Sequence, residues 1–442
     1  MKSAPTVVYS SGAMIFIYNI LFLLFFILSA PFYFLKMWRR GGWRSGFGER
    51  FARYPDGFRA SLGEAPVLWL HAVSMGEVGV CLQLIGALEK RLPGWQILVS
   101  TTTSTGMGEL ARRLPPHIRR VYYPIDFPGN VRRAFDVIRP RAIVLVEAEI
   151  WPNFLWQAGA RGVPLFLVNA RISERSFAGY RRFGFVFKPM FARFRGVGSQ
   201  QEADARRLVD LGFPADATMV TGNLKFDAAQ PSDRLGLDTK ALLKSLGVAD
   251  GAPILVAGST HAGEEALLAG MFLRLRHRFP DLFLVLVPRH VERTREVAQA
   301  LEAAGVTFAL RSEMEKAPAG SACLLVNTNG ELRYFYEAAT VVFVGKSLTA
   351  DGGQNPIEPA ALGKAVVFGP NMQNFLPIVR AYTEAGAVVQ APDAAGVEAA
   401  LAELFADPQR RADLGARARA VTQKNLGATE RTAGLILSRL DV

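Results

Sequence analysis

Two series of short apolar runs, each run followed by a segment with helical periodicity, constrain the fold of this sequence more than any other feature. The first series comprises residues 67–72, 97–103, 120–125, 142–150 and 164–170, and the second comprises residues 253–260, 282–289, 322–328, 341–347 and 365–370. The runs are continuously apolar, which indicates strands that are covered on both faces. Alternation of such strands with helices predicts parallel sheets. We therefore expect an α/β protein with two doubly wound domains and a cleft between them.

The segment at residues 13–35 precedes both series and carries no charged residue. A helix that crosses a bilayer needs about 20 such residues, so the segment is long enough. A cleaved signal peptide is the alternative, but this run exceeds the usual apolar core, and residues 32–34 are bulky aromatics where small residues would precede a cleavage site. Four basic residues follow the segment closely, whereas only Lys2 precedes it: Lys36, Arg39, Arg40 and Arg44. The positive-inside tendency then predicts a single crossing with the rest of the chain in the cytoplasm.

The chain of 442 residues is long enough for two or three domains, at roughly 150 residues each. A polar stretch at 226–251 separates the two series of strands and contains a linker with Pro231 and Ser232. We expect a membrane anchor at residues 1–40, a first domain at 41–235 and a second domain at 236–442.

Composition excludes several classes of protein. The two cysteines, Cys81 and Cys323, are too few for a disulfide framework or a four-cysteine metal site. The five histidines show no paired spacing, so we expect no dedicated metal site. The net charge is +12, but residues 1–60 hold eight basic and two acidic residues and thus half of it. That local concentration argues against a broad nucleic-acid-binding surface.

In parallel sheets, ligands bind beyond the carboxyl ends of the strands, so the loops at those ends are the candidate sites. In the first domain, Ser74 and Glu77 have the S-x-x-E spacing of a capping box at a helix start. Alternatively, the Glu77 carboxylate is a general base that accepts a proton from an attacking hydroxyl group. Glu147 and Glu149 lie two positions apart at a strand end and share one face. They either act on a ligand or pair with arginines or backbone amides.

In the second domain, Gly258, Ser259 and Thr260 lead from a strand into a helix, whose free amide groups favour an anion. The loop is neither a GxGxxG nor a Walker motif. Arg289 ends the next strand and is placed to meet a phosphate or carboxylate, although most arginines are simply exposed. Glu358 follows Asn355-Pro356 and either accepts ribose hydroxyl groups or complements a helix dipole.

Residues 171–195 combine seven basic residues with seven interleaved aromatic residues and one acid. Beside an N-terminal anchor, a patch that contacts the membrane surface is the simplest interpretation. Nucleic-acid binding and a solvated basic helix remain the alternatives.

Taken together, the loop sequences resemble those of the Kdo transferases, which transfer 3-deoxy-D-manno-oct-2-ulosonic acid (Kdo) during lipopolysaccharide assembly. The matching stretches are HAVSMGEV, PIDFPGNVRRAFDVIRPRAIVLVEAEIWPN, VNARISERS, TGNLKFD, GSTHAGEE, VPRH, NTNGEL and GGQNPIEPAALGKAVVFGPNMQNF. The resemblance implies a GT-B glycosyltransferase with two Rossmann-like domains at the cytoplasmic face of the inner membrane. It also implies inverting transfer of Kdo from the donor CMP-Kdo to a lipid A precursor, without a metal or other cofactor.

The resemblance also implies roles for individual residues. Glu77 stands at the position of the family's general base. The family's CMP contacts fall on Pro288, Arg289, Asn329, Gly330, Glu331, Asn355, Pro356, Ile357 and Glu358, and position alone adds Ser259 and Thr260. Lys346 stands where the family's GGS stretch has its second glycine, and Gln354 stands where histidine is frequent.

Two other functions remain open from the sequence. One is a GT-B transferase that uses a UDP-sugar donor on another membrane lipid. The other is a non-catalytic membrane scaffold with two nucleotide-binding folds.

Overall fold

The computed structural model describes residues 12–39, 46–147, 150–227 and 236–440. Glu149, one of the two strand-end carboxylates, lies outside the described residues. The chain forms two compact units. Unit 1 comprises Met1–Ala228 and Leu426–Val442, and unit 2 comprises Ala229–Asn425.

Unit 1 is built on a parallel sheet. Its strands are β1 (Val67–His71), β2 (Gln96–Thr101), β3 (Arg119–Tyr122), β4 (Pro140–Val146), β5 (Leu165–Ala170), β6 (Phe194–Ser199) and β7 (Thr218–Val220). Their order across the sheet is β3-β2-β1-β4-β5-β6-β7, and Leu70 of β1 pairs with Val99 of β2 and Val144 of β4. The first five strands are those predicted from the sequence. The sixth and seventh were missed, because Arg195 and two glycines interrupt the apolar run of β6 and β7 has three residues.

Helices cover both faces of this sheet. They are α1 (Gly12–Arg39), α2 (Phe58–Leu62), α3 (Met75–Glu89), α4 (Ser104–Arg113), α5 (Pro128–Ile138), α6 (Pro152–Ala160), α7 (Glu174–Arg182), α8 (Gly184–Phe191) and α9 (Glu202–Asp210). The side chains of successive β1 residues point to opposite faces of the sheet, so they pack in the two hydrophobic cores on either side of it. Trp69 packs with Phe135 and Phe154 on one face, whereas Leu68 and Leu70 pack on the other.

Helix α1 matches the predicted anchor in length and composition. Its segment Gly12–Leu35 has a mean hydropathy of 2.5 and is long and apolar enough to cross a membrane, although a signal sequence passes the same test. Part of the helix packs against unit 1, where Phe22 is buried.

Unit 2 repeats the architecture. Its strands are β8 (Ile254–Thr260), β9 (Phe283–Pro288), β10 (Phe308–Leu310), β11 (Cys323–Leu325), β12 (Val341–Val344), β13 (Ala365–Phe368) and β14 (Val389–Gln390). They form a parallel sheet in the order β10-β11-β9-β8-β12-β13-β14. The five inner strands were predicted, and the short edge strands β10 and β14 were not.

The helices of unit 2 are α10 (Thr239–Ser245), α11 (Glu264–Arg278), α12 (Thr294–Ala303), α13 (Leu332–Ala338), α14 (Ile357–Ala361), α15 (Leu376–Glu384), α16 (Ala394–Ala406) and α17 (Pro408–Asn425). The last helix, α18 (Ala428–Leu437), returns to unit 1, although the sequence assigned it to the second domain. Ala433 and Ile436 of α18 enter the core beside Leu68, and the Asp227 carboxylate accepts hydrogen bonds from the Gly427 and Thr429 amides at 2.7 and 2.6 Å.

Candidate active site

The loop after β1 carries the Glu77 carboxylate in the first turn of α3. Ser74 caps this helix: its hydroxyl accepts a hydrogen bond from the Glu77 amide at 3.4 Å and donates to Glu77 Oε1 at 2.9 Å. The Val73 amide donates to Glu77 Oε2 at 2.8 Å. The capping interaction inferred from the sequence is therefore present. It holds a partly exposed carboxylate in one orientation at the carboxyl end of the sheet.

The neighbouring strand β2 fixes the same loop. The hydroxyl groups of Thr101 and Thr103 each donate to the Val73 carbonyl oxygen at 2.9 Å. Gly106 of α4 packs against these hydroxyls, and a Cβ atom there would lie only 2.4 Å from Thr101 Oγ1. Because the end of β2 and the cap of α4 both bind Val73, the residue whose amide binds Glu77 is itself held in place.

Two other titratable side chains near Glu77 are buried. His71, at the end of β1, is fully buried with Nδ1 3.0 Å from Ser100 Oγ, and burial lowers its pKa to about 3. Burial and the nearby Glu77 raise the pKa of the Cys81 thiol to about 12. Neither side chain therefore exchanges a proton at neutral pH, so Glu77 is the better candidate base in this loop.

Glu147 lies at the end of β4 with a positive φ of 63°. Its carboxylate forms ion pairs with Lys225 at 3.3 Å and Arg171 at 3.4 Å, and it accepts a weak hydrogen bond from Asn169 Nδ2 at 3.5 Å. Glu147 therefore pairs with basic residues, which is one of the two alternatives inferred from the sequence. Two cations and a carboxylate nevertheless meet at the carboxyl ends of the strands, where ligands bind in parallel sheets.

Buried amide side chains extend this cluster along the strand ends. Asn169, with a φ of 52°, accepts a hydrogen bond from the Leu224 amide at 3.1 Å through Oδ1. Gln200 donates to the Asn169 carbonyl oxygen at 3.0 Å and accepts from Asn223 Nδ2 at 2.9 Å. These amides were not predicted from the sequence. Asn169 lies in β5, which was predicted, but Gln200 and Asn223 follow β6 and β7, which were missed.

A large open cavity lies beside α4 in unit 1. Its volume is about 1210 Å³, which exceeds the range of roughly 300–1,000 Å³ of most small-molecule sites. Ser104 and Thr105 line one end, close to the loop that holds Glu77, and Phe58 and Ile118 contribute apolar surface. Arg119 and Arg120 supply two positive charges, against one carboxylate, that of Glu49. The cavity therefore combines the size, apolar surface and cations that suit a bulky anionic amphiphile.

In unit 2, Ser259 and Thr260 are the last two residues of β8, just before the loop that leads into α11. Ser259 adopts a positive φ of 56° and is partly exposed. Thr260 is fully buried, and its hydroxyl has no hydrogen-bond partner among the described residues. The Thr260 carbonyl oxygen accepts the Arg289 amide at 3.0 Å. The end of β8 thus fixes the backbone of Arg289, from which its side chain projects.

Glu264, the first residue of α11, joins two segments that are far apart in sequence. Its carboxylate is fully buried. Oε2 accepts the amides of His261 at 2.9 Å and Lys346 at 2.7 Å. Oε1 accepts those of Ser347 at 2.8 Å and Leu348 at 2.9 Å. This role of Glu264 was not predicted, because a spacing of 82 to 84 residues leaves no local pattern in the sequence.

The loop after β12 adopts the backbone that the family's glycines favour. Lys346, at the expected glycine position, has a φ of 56°. Gly352 and Gly353 have φ values of 117° and 69°, and the Gly353 amide donates to the Lys346 carbonyl oxygen at 3.0 Å. The lysine therefore adopts a left-handed conformation at some conformational cost.

Arg289 and Glu358 lie close enough to interact. Pro288 is buried at the end of β9, whereas Arg289 is exposed. Burial raises the pKa of Glu358, while a 3.4 Å hydrogen bond from Asn355 Nδ2 and the charges of Arg333 and Arg289 oppose the increase. Asn355 Oδ1 accepts the Ile357 amide at 3.0 Å. The short helix α14 begins at the buried Ile357, with Pro356 as its N-cap residue.

Asn329, Gly330 and Glu331 follow β11. Asn329 and Gly330 are exposed, and Gly330 has a φ of 86°. Glu331 accepts hydrogen bonds from Arg311 Nη2 at 2.9 Å and from the Thr328 hydroxyl. The predicted CMP contacts therefore lie at the carboxyl ends of β8 and β9, in the segment after β11 and at the start of α14, and their roles in CMP binding stay predictions.

Comparisons with known proteins identify the family. Residues 45–228 match the family described as 3-deoxy-D-manno-octulosonic-acid transferase (kdotransferase). The 3-deoxy-D-manno-octulosonic acid transferase of Bordetella pertussis is 37% identical over 415 residues, which cover 91% of this chain and 95% of that protein. The chain belongs to the Kdo transferase family. The protein of the same name from Haemophilus influenzae is 30% identical, over 90% of this chain and 92% of that protein.

The fold of this Kdo transferase family member is GT-B. A glycosyltransferase from Rickettsia africae ESF-5 has a similar structure, with a TM-score of 0.54 and 11% sequence identity over 85% of this chain and 97% of that chain. Such low identity supports the fold alone. Membership of a transferase family makes the chain a glycosyltransferase, which removes the non-catalytic scaffold among the alternatives.

Within the residues that the structure describes, no group of three His, Cys, Asp or Glu side chains is arranged to hold a metal ion. The expectation of metal-independent transfer remains a prediction.

Proposed function

We propose that the protein transfers Kdo from CMP-Kdo to a lipid A precursor with inversion at the anomeric carbon. The observation that carries this proposal is the position of Glu77 in a Kdo transferase family member. Its carboxylate is fixed by Ser74 and the Val73 amide at the carboxyl end of the unit 1 sheet, and it stays partly exposed.

In the proposed reaction, Glu77 accepts the proton of a sugar hydroxyl group on the acceptor lipid. The hydroxyl oxygen attacks the anomeric carbon of Kdo and forms the new glycosidic bond, while the bond to the CMP phosphate breaks. CMP leaves with the bonding electron pair. A single displacement without a covalent enzyme intermediate inverts the configuration at that carbon.

We assign donor binding to the loops of unit 2. The Arg289 guanidinium is suited to stabilise the negative charge that develops on the phosphate, and the amides at the helix starts add to this effect. Glu358 accepts the ribose hydroxyl groups, and residues 329–331 complete the nucleotide contacts. Because these groups supply the positive potential themselves, the proposed reaction uses no metal and no further cofactor.

Features of unit 1 support the proposed acceptor and location. The cavity beside α4 has room for a lipid headgroup and two arginines for its negative charge. Phe183 and Phe185 are exposed in the basic, aromatic segment 171–195, as expected of a surface that contacts lipid. With helix α1, this surface supports a location at the cytoplasmic face of the inner membrane.

Mass spectrometry of the reaction product tests the proposal. The purified full-length protein is incubated with CMP-Kdo and a tetra-acylated lipid A precursor, and in parallel with UDP-sugars. We expect a product that carries added Kdo from CMP-Kdo alone, and a thermal shift with CMP that exceeds the shift with UDP. Transfer from a UDP-sugar, with stabilisation by UDP but not by CMP, would instead establish the alternative donor.

A further inference from the structure

Helix α1 forms polar contacts with unit 1 in addition to its chain connection. The Tyr18 hydroxyl donates to Asp126 Oδ2 at 2.8 Å, and Asn153 Nδ2 donates to Asn19 Oδ1 at 2.8 Å. Asp126 also accepts the amides of Asn153 and Phe154 at 3.0 and 2.9 Å, so it caps α6 as well. The helix is therefore attached to a fixed structural element of unit 1.

Aromatic side chains on the same side of α1 also pack against the rest of unit 1. The Phe22 ring is 8% exposed and lies 5.2 Å from the Phe127 ring and 6.1 Å from the Trp151 ring, between centroids. Phe26 packs edge-on against Phe127 at 5.1 Å, and Tyr18 packs edge-on against Trp156 at 5.6 Å. Ile15 also packs on the core of unit 1, so the contacts of α1 run from Ile15 to Phe26.

The length of the helix makes this docking incompatible with a full crossing. At 1.5 Å per residue, the part of α1 beyond Phe26 is about 20 Å long and ends at Arg39. The hydrocarbon core of a bilayer is about 30 Å thick. Because Lys36 and Arg39 are charged, the roughly 20 residues of a crossing would have to end at Leu35, and residues 16–26 would then lie within the bilayer as well. The contacts of Tyr18 and Asn19 would then either break or draw Asp126 and Asn153 into hydrocarbon, which is costly for polar groups.

The opposite face of α1 is a continuous apolar surface. Its exposed side chains include Phe16, Ile17, Leu21, Leu24, Leu28 and Phe32, and Leu28 is 82% exposed. Protein covers one side of this helix, and the other side is apolar, so burial of that side in a lipid leaflet is favourable. The uncharged stretch Gly12–Leu35 and the basic residues that follow it favour lipid over a second copy of the chain as the partner.

We infer that α1 stays docked on unit 1 and inserts its outer apolar face into one leaflet of the bilayer, without crossing it. This arrangement replaces the single crossing expected from hydropathy. It places the loops that precede α5 and α6 at the lipid surface, together with unit 1.

Labelling of introduced cysteines tests the inference. Ser3→Cys places a thiol on the N-terminal side of α1, and Ala203→Cys places one on the exposed surface of α9. The native Cys81 and Cys323 are buried. The full-length variants are treated with a membrane-impermeant maleimide in intact spheroplasts and in inside-out vesicles. We expect both thiols to react only in the vesicles. Reaction of Ser3→Cys in spheroplasts, with Ala203→Cys protected, would establish a crossing and overturn the inference.

Two further variants make the test specific. Tyr18→Phe with Asn19→Leu removes the polar docking and leaves an apolar helix, so we expect the Ser3→Cys thiol to become reactive in spheroplasts. Ile17→Leu, on the exposed face, is the matched control and should leave the labelling unchanged. Efficient disulfide formation between Leu28→Cys copies in the membrane would show that a second chain covers this face, which also overturns the inference. Labelling does not depend on turnover, so its result is separate from that of the transfer assay.

Discussion

The helix that follows the first strand of each unit's sheet has a glutamate in its first turn, and the two glutamates are used differently. Glu77 is the third residue of α3, which follows β1, and Glu264 is the first residue of α11, which follows β8. Glu77 binds Val73 and Ser74, within four residues, and remains partly exposed. Glu264 binds His261 but also three amides more than 80 residues away, and it is fully buried.

The difference shows how burial decides the role of a helix-start carboxylate. Each oxygen of Glu264 accepts two amide hydrogen bonds, so this carboxylate serves to hold the loop at residues 346–348 against α11. Glu77 uses local contacts that orient the carboxylate while solvent still reaches it. Exposure together with a fixed orientation is what a general base requires.

Glu77→Gln should have the largest effect on activity. Glutamine can also occupy the last position of a capping box, so we expect the fold of the loop to persist. The side chain can no longer accept a proton at neutral pH, and turnover should fall by about 10²–10⁴-fold. The measurement is the turnover number in the Kdo transfer assay, together with the thermal shift produced by CMP.

Equal CMP binding in the variant and the parent protein is the control, because the donor loops belong to unit 2. Turnover within a few-fold of the parent would show that another group accepts the proton, and the contrast drawn between Glu77 and Glu264 would then fail.

Glu264→Gln should act on the donor loop rather than on proton transfer. Whichever way the amide points, its NH₂ group faces two backbone N–H donors where a carboxylate oxygen accepted them. Loss of these bonds from a buried site should lower the free energy of unfolding by about 2–4 kcal/mol. We expect CMP affinity to fall about tenfold, measured by calorimetry, with a smaller loss of turnover at saturating donor.

Glu302→Gln, on the exposed surface of α12, is the matched control and should change neither quantity. If Glu264→Gln lowers turnover as much as Glu77→Gln does but leaves CMP affinity intact, Glu264 does not act through the donor loop.

The two glutamates also mark how far the sequence could be interpreted. The spacing of Ser74 and Glu77 is a local pattern, and the structure contains the predicted cap. The partners of Glu264 depend on the pairing of β12 with β8, which no local pattern encodes. Likewise, the sequence located Glu147 at a strand end, but its ion pairs with Arg171 and Lys225 depend on three separate loops.

The fold follows the same rule. Long apolar strands were predicted, because burial on both faces leaves a continuous apolar run. Strand β6 was missed because it needs glycines for close packing: a Cβ atom on Gly196 would lie 2.9 Å from the Phe166 ring, and one on Gly198 would lie 2.7 Å from Thr221 Oγ1. The return of α18 to unit 1 depends on long-range contacts with Asp227 and was equally hidden.

Ser74→Ala should have the smallest effect, and it separates the two functions of the cap. Loss of an N-cap hydroxyl typically costs about 1 kcal/mol of stability. The Ser74 hydroxyl also donates to Glu77 Oε1, so its removal frees the carboxylate to rotate, and we expect turnover to fall a few-fold.

Ser173 caps α7 by accepting the Ser176 amide at 3.1 Å, and Ser173→Ala is the control. Thermal unfolding should show similar losses for both variants. If their turnover with detergent-solubilised acceptor is also the same, Ser74 acts only as a helix cap, and the orientation of Glu77 depends on the Val73 amide.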